Sequence, residues 1–163
     1  MWTPKPDAAE LVSTTDLQAE AIYQAALDRI TNLFWARDWD QLADCIAVPN
    51  RIGAPDTERV FATLDEWIVT AKAARETFAQ IGATEYHRLG RAARFTDEAR
   101  TRIVGLHETY ILRGSAFAMP AYRAFMLMRK DVDGNWRSNG LYSEQRDTTL
   151  PTIHADRLKP PSR

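Results

Sequence analysis

One cysteine, Cys45, stands in a chain of 163 residues, so no intrachain disulfide can form. It lies at the end of a predicted amphipathic helix, where a buried structural thiol is the expected state. Charge of one sign is also lacking: 21 Lys and Arg face 22 Asp and Glu, a formal net charge of −1. No basic excess exists to attract a phosphate backbone, and the arginines are scattered, so no nucleic-acid partner is expected. No window approaches the roughly 18 apolar residues of a membrane span, so no membrane partner is expected either. The start, MWTPKPDAAELV, has no basic stretch followed by an apolar run, which makes a soluble cytoplasmic protein the default. The three histidines, His87, His107 and His154, show no HxxxH spacing, and no CxxC is present, so no metal is expected. GxGxxG, P-loop and GxSxG patterns are missing as well. Nucleotide cofactors and a serine nucleophile therefore have no supporting motif, and cofactor-free chemistry is the expectation.

What is present is ordinary globular composition, 45% hydrophobic and 26% charged. The length fits one domain that can bury a core without staples. Residues 1–13 carry two prolines and no period, and read as an extended arm. Thr15-Asp16-Leu17-Gln18 is a capping-box pattern with Thr15 as N-cap. Tyr23, Ala26, Leu27, Ile30, Leu33 and Phe34 then form one helical stripe, ending near Ala36. Asp38 caps a short helix, DWDQLADCI, which Pro49 stops. Between 47 and 62, Pro49 and Pro55 leave room for at most two short edge strands. Thr63-Leu64-Asp65-Glu66 opens a long helix with Trp67, Ile68, Ala71, Ala74, Phe78 and Ile81 on its apolar side. Gly82 stands where a left-handed residue is wanted after it.

Thr84 to Glu144 reads as four antiparallel strands in two hairpins. Thr96-Asp97-Glu98-Ala99 breaks the first. Asp133-Gly134 turns the second. A two-residue loop there pairs Val132 with Asn135, and so Met126 with Leu141 and Phe125 with Tyr142. Residues 148–163, with three prolines, read as a tail, leaving 14–147 as the domain. Helices followed by antiparallel strands describe an α+β fold, three helices covering one face of the sheet.

This order resembles the nuclear transport factor 2-like superfamily, with its SnoaL-like and ketosteroid-isomerase-like branches. The resemblance spans roughly residues 15–146 and rests on element order plus FWARDWDQL, DVDGNWR and LYSE. It implies a cone-shaped fold: a curved, mainly antiparallel sheet around a slanted helix, open at one end. The isomerase branch uses a tyrosine and two carboxylates, and the matching positions fall near Ile30, Ala54 and Met126. No Tyr, Asp or Glu stands there, so that mechanism is not supported. The Asp-Arg-Asp set of the epoxide-hydrolase branch has no counterpart either. Dehydratases of the superfamily line the cone with histidines.

His87 and His107 are therefore the proton-transfer candidates, in two strands of one hairpin. Their relative facing depends on the turn. Pairing Thr96 with Arg100 puts both on one face, and pairing Phe95 with Arg100 puts them on opposite faces. Glu108 must point away from His107, so it is not its orienting acid. Tyr23, Trp67, Tyr110, Met126 and Tyr142 are the candidate pocket lining for a hydrophobic, ring-containing molecule. A catalytic Tyr23 would need a base within hydrogen-bond reach. Strands 101–113 and 121–130 carry apolar residues in both phases, which suggests a homodimer through the sheet. The competing expectation is a binding or assembly module without chemistry. An interior cavity holding a histidine and a second polar group would favour the enzyme.

Overall fold

The computed structural model describes residues 6–158. The first five residues of the expected arm and the last five of the expected tail lie outside the described residues. The chain is α+β. Among the described residues, four α-helices, α1 (Ala8–Ser13), α2 (Leu17–Trp35), α3 (Trp39–Ala43) and α4 (Leu64–Gln80), accompany seven strands. The strands are β1 (Ile46–Gly53), β2 (Glu58–Phe61), β3 (Glu85–Phe95), β4 (Arg102–Arg113), β5 (Ala116–Phe117), β6 (Tyr122–Lys130) and β7 (Trp136–Ser143). They form one mixed sheet in the order β2-β1-β7-β6-β4-β3, with the short β5 beside β4. Only β1 and β7 run parallel.

Local chemistry fixes the helices. Asp16, rather than Thr15, caps α2, accepting the Ala19 N–H at 3.0 Å. Thr15 instead stitches the chain to β3, giving its hydroxyl to the Ala93 carbonyl and taking the Ala93 N–H. Asp38 caps α3 and Thr63 caps α4, as their positions predict. Gly82 follows α4 at φ +75°, a conformation costly for any residue with a Cβ.

β1 is not an edge strand: it lies between β2 and β7. Pro49 is tolerated because it falls in the irregular stretch between the Ile46 and Arg51 pairings, where no regular ladder bond is needed.

The inner sheet face packs on α2. Tyr23, Leu27 and Ile30 meet Ala93, Ile103, Met126 and Met128. The outer face carries the second apolar phase, and here the expectation of an extended arm fails. Asp7 caps a six-residue helix, accepting the Glu10 N–H at 3.0 Å. Its Leu11 covers Ala92, Val104, Leu106 and Phe125, all buried within this single chain. The two-phase pattern that suggested a homodimer is thus accounted for by α1. Leu11→Asp is expected to expose this patch and cost about 3 kcal/mol, read as a lower Tm and increased self-association by light scattering.

The expected tail is also tied down, with Leu150, Ile153 and Ala155 buried. Arg59 donates to the Ile153 carbonyl and to Asp156, and His154 meets Thr57 at 3.0 Å. His154 is therefore a half-buried partner rather than a solvent-exposed residue. No helix among the described residues is long and apolar enough to cross a membrane.

Candidate functional site

A bulge decides which face each histidine takes. Next to the turn, Phe95 pairs with Ile103, a register that alone would put both histidines on one face. The ladder then shifts between Gly90 and Ala92, so His87 sits opposite Tyr110 and His107 opposite Gly90. Residues 107 and 110 of one strand point to opposite faces, so the two rings are separated by the sheet. Gln24 of α2 satisfies the backbone next to the shift, accepting the Gly90 N–H at 2.6 Å and donating to the Arg88 carbonyl.

His107 faces inward and is 1% exposed. Its Nδ1 lies 2.6 Å from the Tyr23 hydroxyl oxygen. An imidazole nitrogen therefore lies within hydrogen-bond reach of the Tyr23 hydroxyl. Burial first, and then the charge of Arg88, push the His107 pKa well below the ordinary histidine value, so the ring is neutral. Burial likewise raises the Tyr23 pKa far above its usual value, against smaller opposing pulls from Arg88 and the Met126 backbone.

Tyr23 reaches His107 because Gly105 has no side chain. A Cβ at Gly105 would overlap the Tyr23 ring. Gly105 and His107 are two residues apart on one strand and share a face, so the ring lies over one and its hydroxyl meets the other. Sequence reasoning passed over Gly105. Its signal was a lone glycine inside a strand pattern, RIVGLHETY, which marks close approach of another group.

His107 forms part of the wall of a cavity of about 140 Å³. Helices α2 and α4 contribute Ile30, Phe34, Trp67, Ala74 and Phe78; the sheet contributes Tyr86, Arg88, Thr109, Tyr122 and Leu141. Tyr122 interacts with the Thr109 hydroxyl, and burial raises its pKa. Arg88, 8% exposed, was not singled out from sequence. Flanked by His87 and Leu89 it reads as an ordinary surface arginine. Its alternation with Tyr86 and Gly90 puts it on the inner face. A second hollow, of about 530 Å³, lies beside the turn after β6 and is lined by residues such as Arg29, Asp44 and Arg137.

The other candidates divide between the faces. Trp67 lines the cavity. Tyr23 lies behind His107, and Met126 is a fully buried core residue against α2. Tyr110 and Tyr142 do not line the cavity. Tyr110 is on the outer face, bonded to Glu108 and to Arg91. Tyr142 sits opposite Phe125 and packs with the outer-face cluster. His87 is also outside, its side chain 52% exposed and 3.7 Å from Glu85. It is withdrawn as a proton-transfer candidate, because no part of it reaches the cavity. Glu108 pairs with Arg91 at 3.0 Å, away from His107 as alternation requires. Cys45 is buried, its thiol directed to the Gln41 carbonyl.

No family model and no curated protein matches the sequence. Solved structures do. An NTF-2 like protein of unknown function from Shewanella oneidensis MR-1 is 12% identical, with a TM-score of 0.58 over 77% of this chain and 98% of that one. A protein of unknown function with a cystatin-like fold from Nostoc punctiforme gives a TM-score of 0.62 at 12% identity, covering 84% and 97%. A ketosteroid isomerase-like protein from Erwinia carotovora atroseptica gives 0.56 at 14%, covering 76% and 93%. Identity this low speaks to architecture alone, and on that architecture the chain has the NTF2-like, cystatin-like fold.

Proposed function

We propose that the protein binds a hydrophobic, ring-containing small molecule in a cone-like hollow between α2, α4 and the sheet, and that His107 acts on an oxygen of that molecule. The observation that carries the reading is the buried Tyr23–His107 pair at the wall of a mostly apolar cavity. In this reading the Tyr23 hydroxyl gives its proton to Nδ1. That fixes the tautomer with the proton on Nε2, a neutral donor aimed at a ligand. Burial keeps Tyr23 from ionising, so it orients the ring rather than supplying a proton of its own. A fixed donor beside a mostly apolar hollow stabilises negative charge developing on a carbonyl or hydroxyl oxygen. Isomerisation, dehydration and cyclisation all need that, and none requires a cofactor.

The experiment is incubation with single-ring carbonyl and hydroxy compounds in deuterated water, followed by proton NMR. The expected result is accelerated exchange next to a carbonyl, or loss of water, for at least one compound that also raises Tm. His107→Gln and Tyr23→Phe should bind the same compound and lose turnover by about a hundredfold. Equal rates with and without His107 would remove the catalytic part. That outcome suits a second reading, a ligand carrier without chemistry. One observation favours it: among the described residues, no Asp or Glu lines the cavity to take a proton. A homodimer through the sheet is a further part of the proposal, supported by half-buried Leu127 and Tyr142 at the margin of the α1 contact. Light scattering of the unaltered chain decides it.

A further inference from the structure

Three arginines are less than a tenth exposed: Arg59, Arg75 and Arg88. A guanidinium cannot shed its proton, so burying one is costly unless its charge is met. Arg59 meets Asp156 at 2.6 Å and Glu66 at 3.2 Å. Arg75 lies 3.6 Å from the centroid of the Trp35 ring and donates to the Trp35 carbonyl. Arg88 is different. Its Nε donates to the Thr31 hydroxyl at 2.8 Å, which holds the fork in place. Among the described residues, no carboxylate pairs with it. It forms part of the cavity wall.

The rest of that wall supplies donors and no anion. Trp67 is also part of the wall, and its indole N–H is buried with no acceptor among the described residues. His107 is neutral. A fixed positive charge and an orphan donor in one apolar hollow leave a place for negative charge that the chain does not fill.

The geometry points to a ligand made of a single ring bearing one carboxylate, the ring among the apolar side chains and the carboxylate on the Arg88 fork. This deepens the ligand-binding reading above and rests on it. Three features choose the class. A cavity of about 140 Å³ holds one ring, since a dry hollow of about 150 Å³ takes benzene. Among the described residues, Arg88 is the one charged side chain in the wall, which matches a monoanion. A phosphate monoester carries nearly two charges at neutral pH. A carboxylate also accepts the two parallel N–H bonds that a guanidinium offers.

The test is calorimetric titration of the full chain with benzoate, benzamide and phenyl phosphate. Benzoate is expected to bind about tenfold more tightly than benzamide. Arg88→Gln should abolish that preference while leaving benzamide affinity in place, and Arg88→Lys should retain part of it. The probe comparison on the unaltered chain does not depend on any variant folding. Benzamide binding as well as benzoate, a preference that survives Arg88→Gln, or tighter binding of phenyl phosphate would each overturn the carboxylate assignment alone. Failure of all three probes to bind would overturn the ligand-binding reading with it.

Discussion

Gly105→Ala is expected to lower Tm by roughly 10 °C, although it adds a single methyl group. The methyl would overlap ring atoms of Tyr23, which is 1% exposed and pinned between α2 and the sheet. A flexible side-chain end could swing away from such an overlap; an aromatic ring in a filled core cannot. Overpacking of this kind costs about 3 kcal/mol, and in a chain of this length each kcal/mol moves Tm by about 3 °C. The functional consequence exceeds the stability loss, because moving the ring carries the Tyr23 hydroxyl off His107. Thermal unfolding of Gly105→Ala, alone and in a Tyr23→Ala background, checks it. The smaller residue at 23 should absorb most of the penalty, since it removes what the methyl strikes. An unchanged Tm in the single variant would mean that Tyr23 does not lie over Gly105.

The second large effect is on pH dependence. His107 faces Tyr23 and the charge of Arg88, and both burial and that charge hold it neutral in the folded chain. In the unfolded chain it has an ordinary pKa of about 6.5. Above that value both states are neutral at this residue and stability is unaffected. Below it the unfolded state takes a proton that the folded state refuses, so stability falls as pH falls. The expected loss is about 1.4 kcal/mol for each pH unit below about 6.5, until the depressed folded pKa is reached. His107→Gln should flatten this slope between about pH 6.5 and pH 5, above the range where carboxylates titrate. Denaturant midpoints at several pH values measure it. Equal slopes in the two proteins would contradict the burial of His107.

The helices were legible where a cap and a stripe coincide. Asp38, Thr63 and Gly82 each do what their residue type predicts, and α3 and α4 follow. α1 was not legible. Six residues with one buried side chain form no stripe, and their helix is held by the sheet it covers. The second hairpin shows how a right pairing can rest on a wrong turn. Asp131 and Asn135 bracket a three-residue loop, with Gly134 at φ +84° and the Asp131 carboxylate accepting two backbone N–H groups. Lys130 therefore pairs with Trp136, one residue off the expected register. An irregularity between Leu127 and Met128 restores it, so Met126 still faces Leu141 and Phe125 still faces Tyr142. The expected pairing sets Met126 and Leu141 on one face, which is the inner one. Tyr142, one residue beyond Leu141, was misassigned to the interior although the same pairing places it outside.

The site was half legible. His107 and Trp67 stand out by residue type. What separates His107 from His87 is one shift in the ladder at Arg91, whose local signal is the lone Gly90 before it. Arg88 was hidden, because an arginine in a strand reads as surface until the face it occupies is known.

The most direct measurement of the central claim is the state of the His107 imidazole nitrogens, read by nitrogen NMR between about pH 5 and pH 7.5. The account predicts one protonated nitrogen, Nε2, throughout that range, an unprotonated Nδ1 opposite Tyr23, and a shift of the Nε2 signal when benzoate is added. A His107 that titrates as an ordinary histidine, or whose signal is indifferent to every ring compound tried, would contradict it.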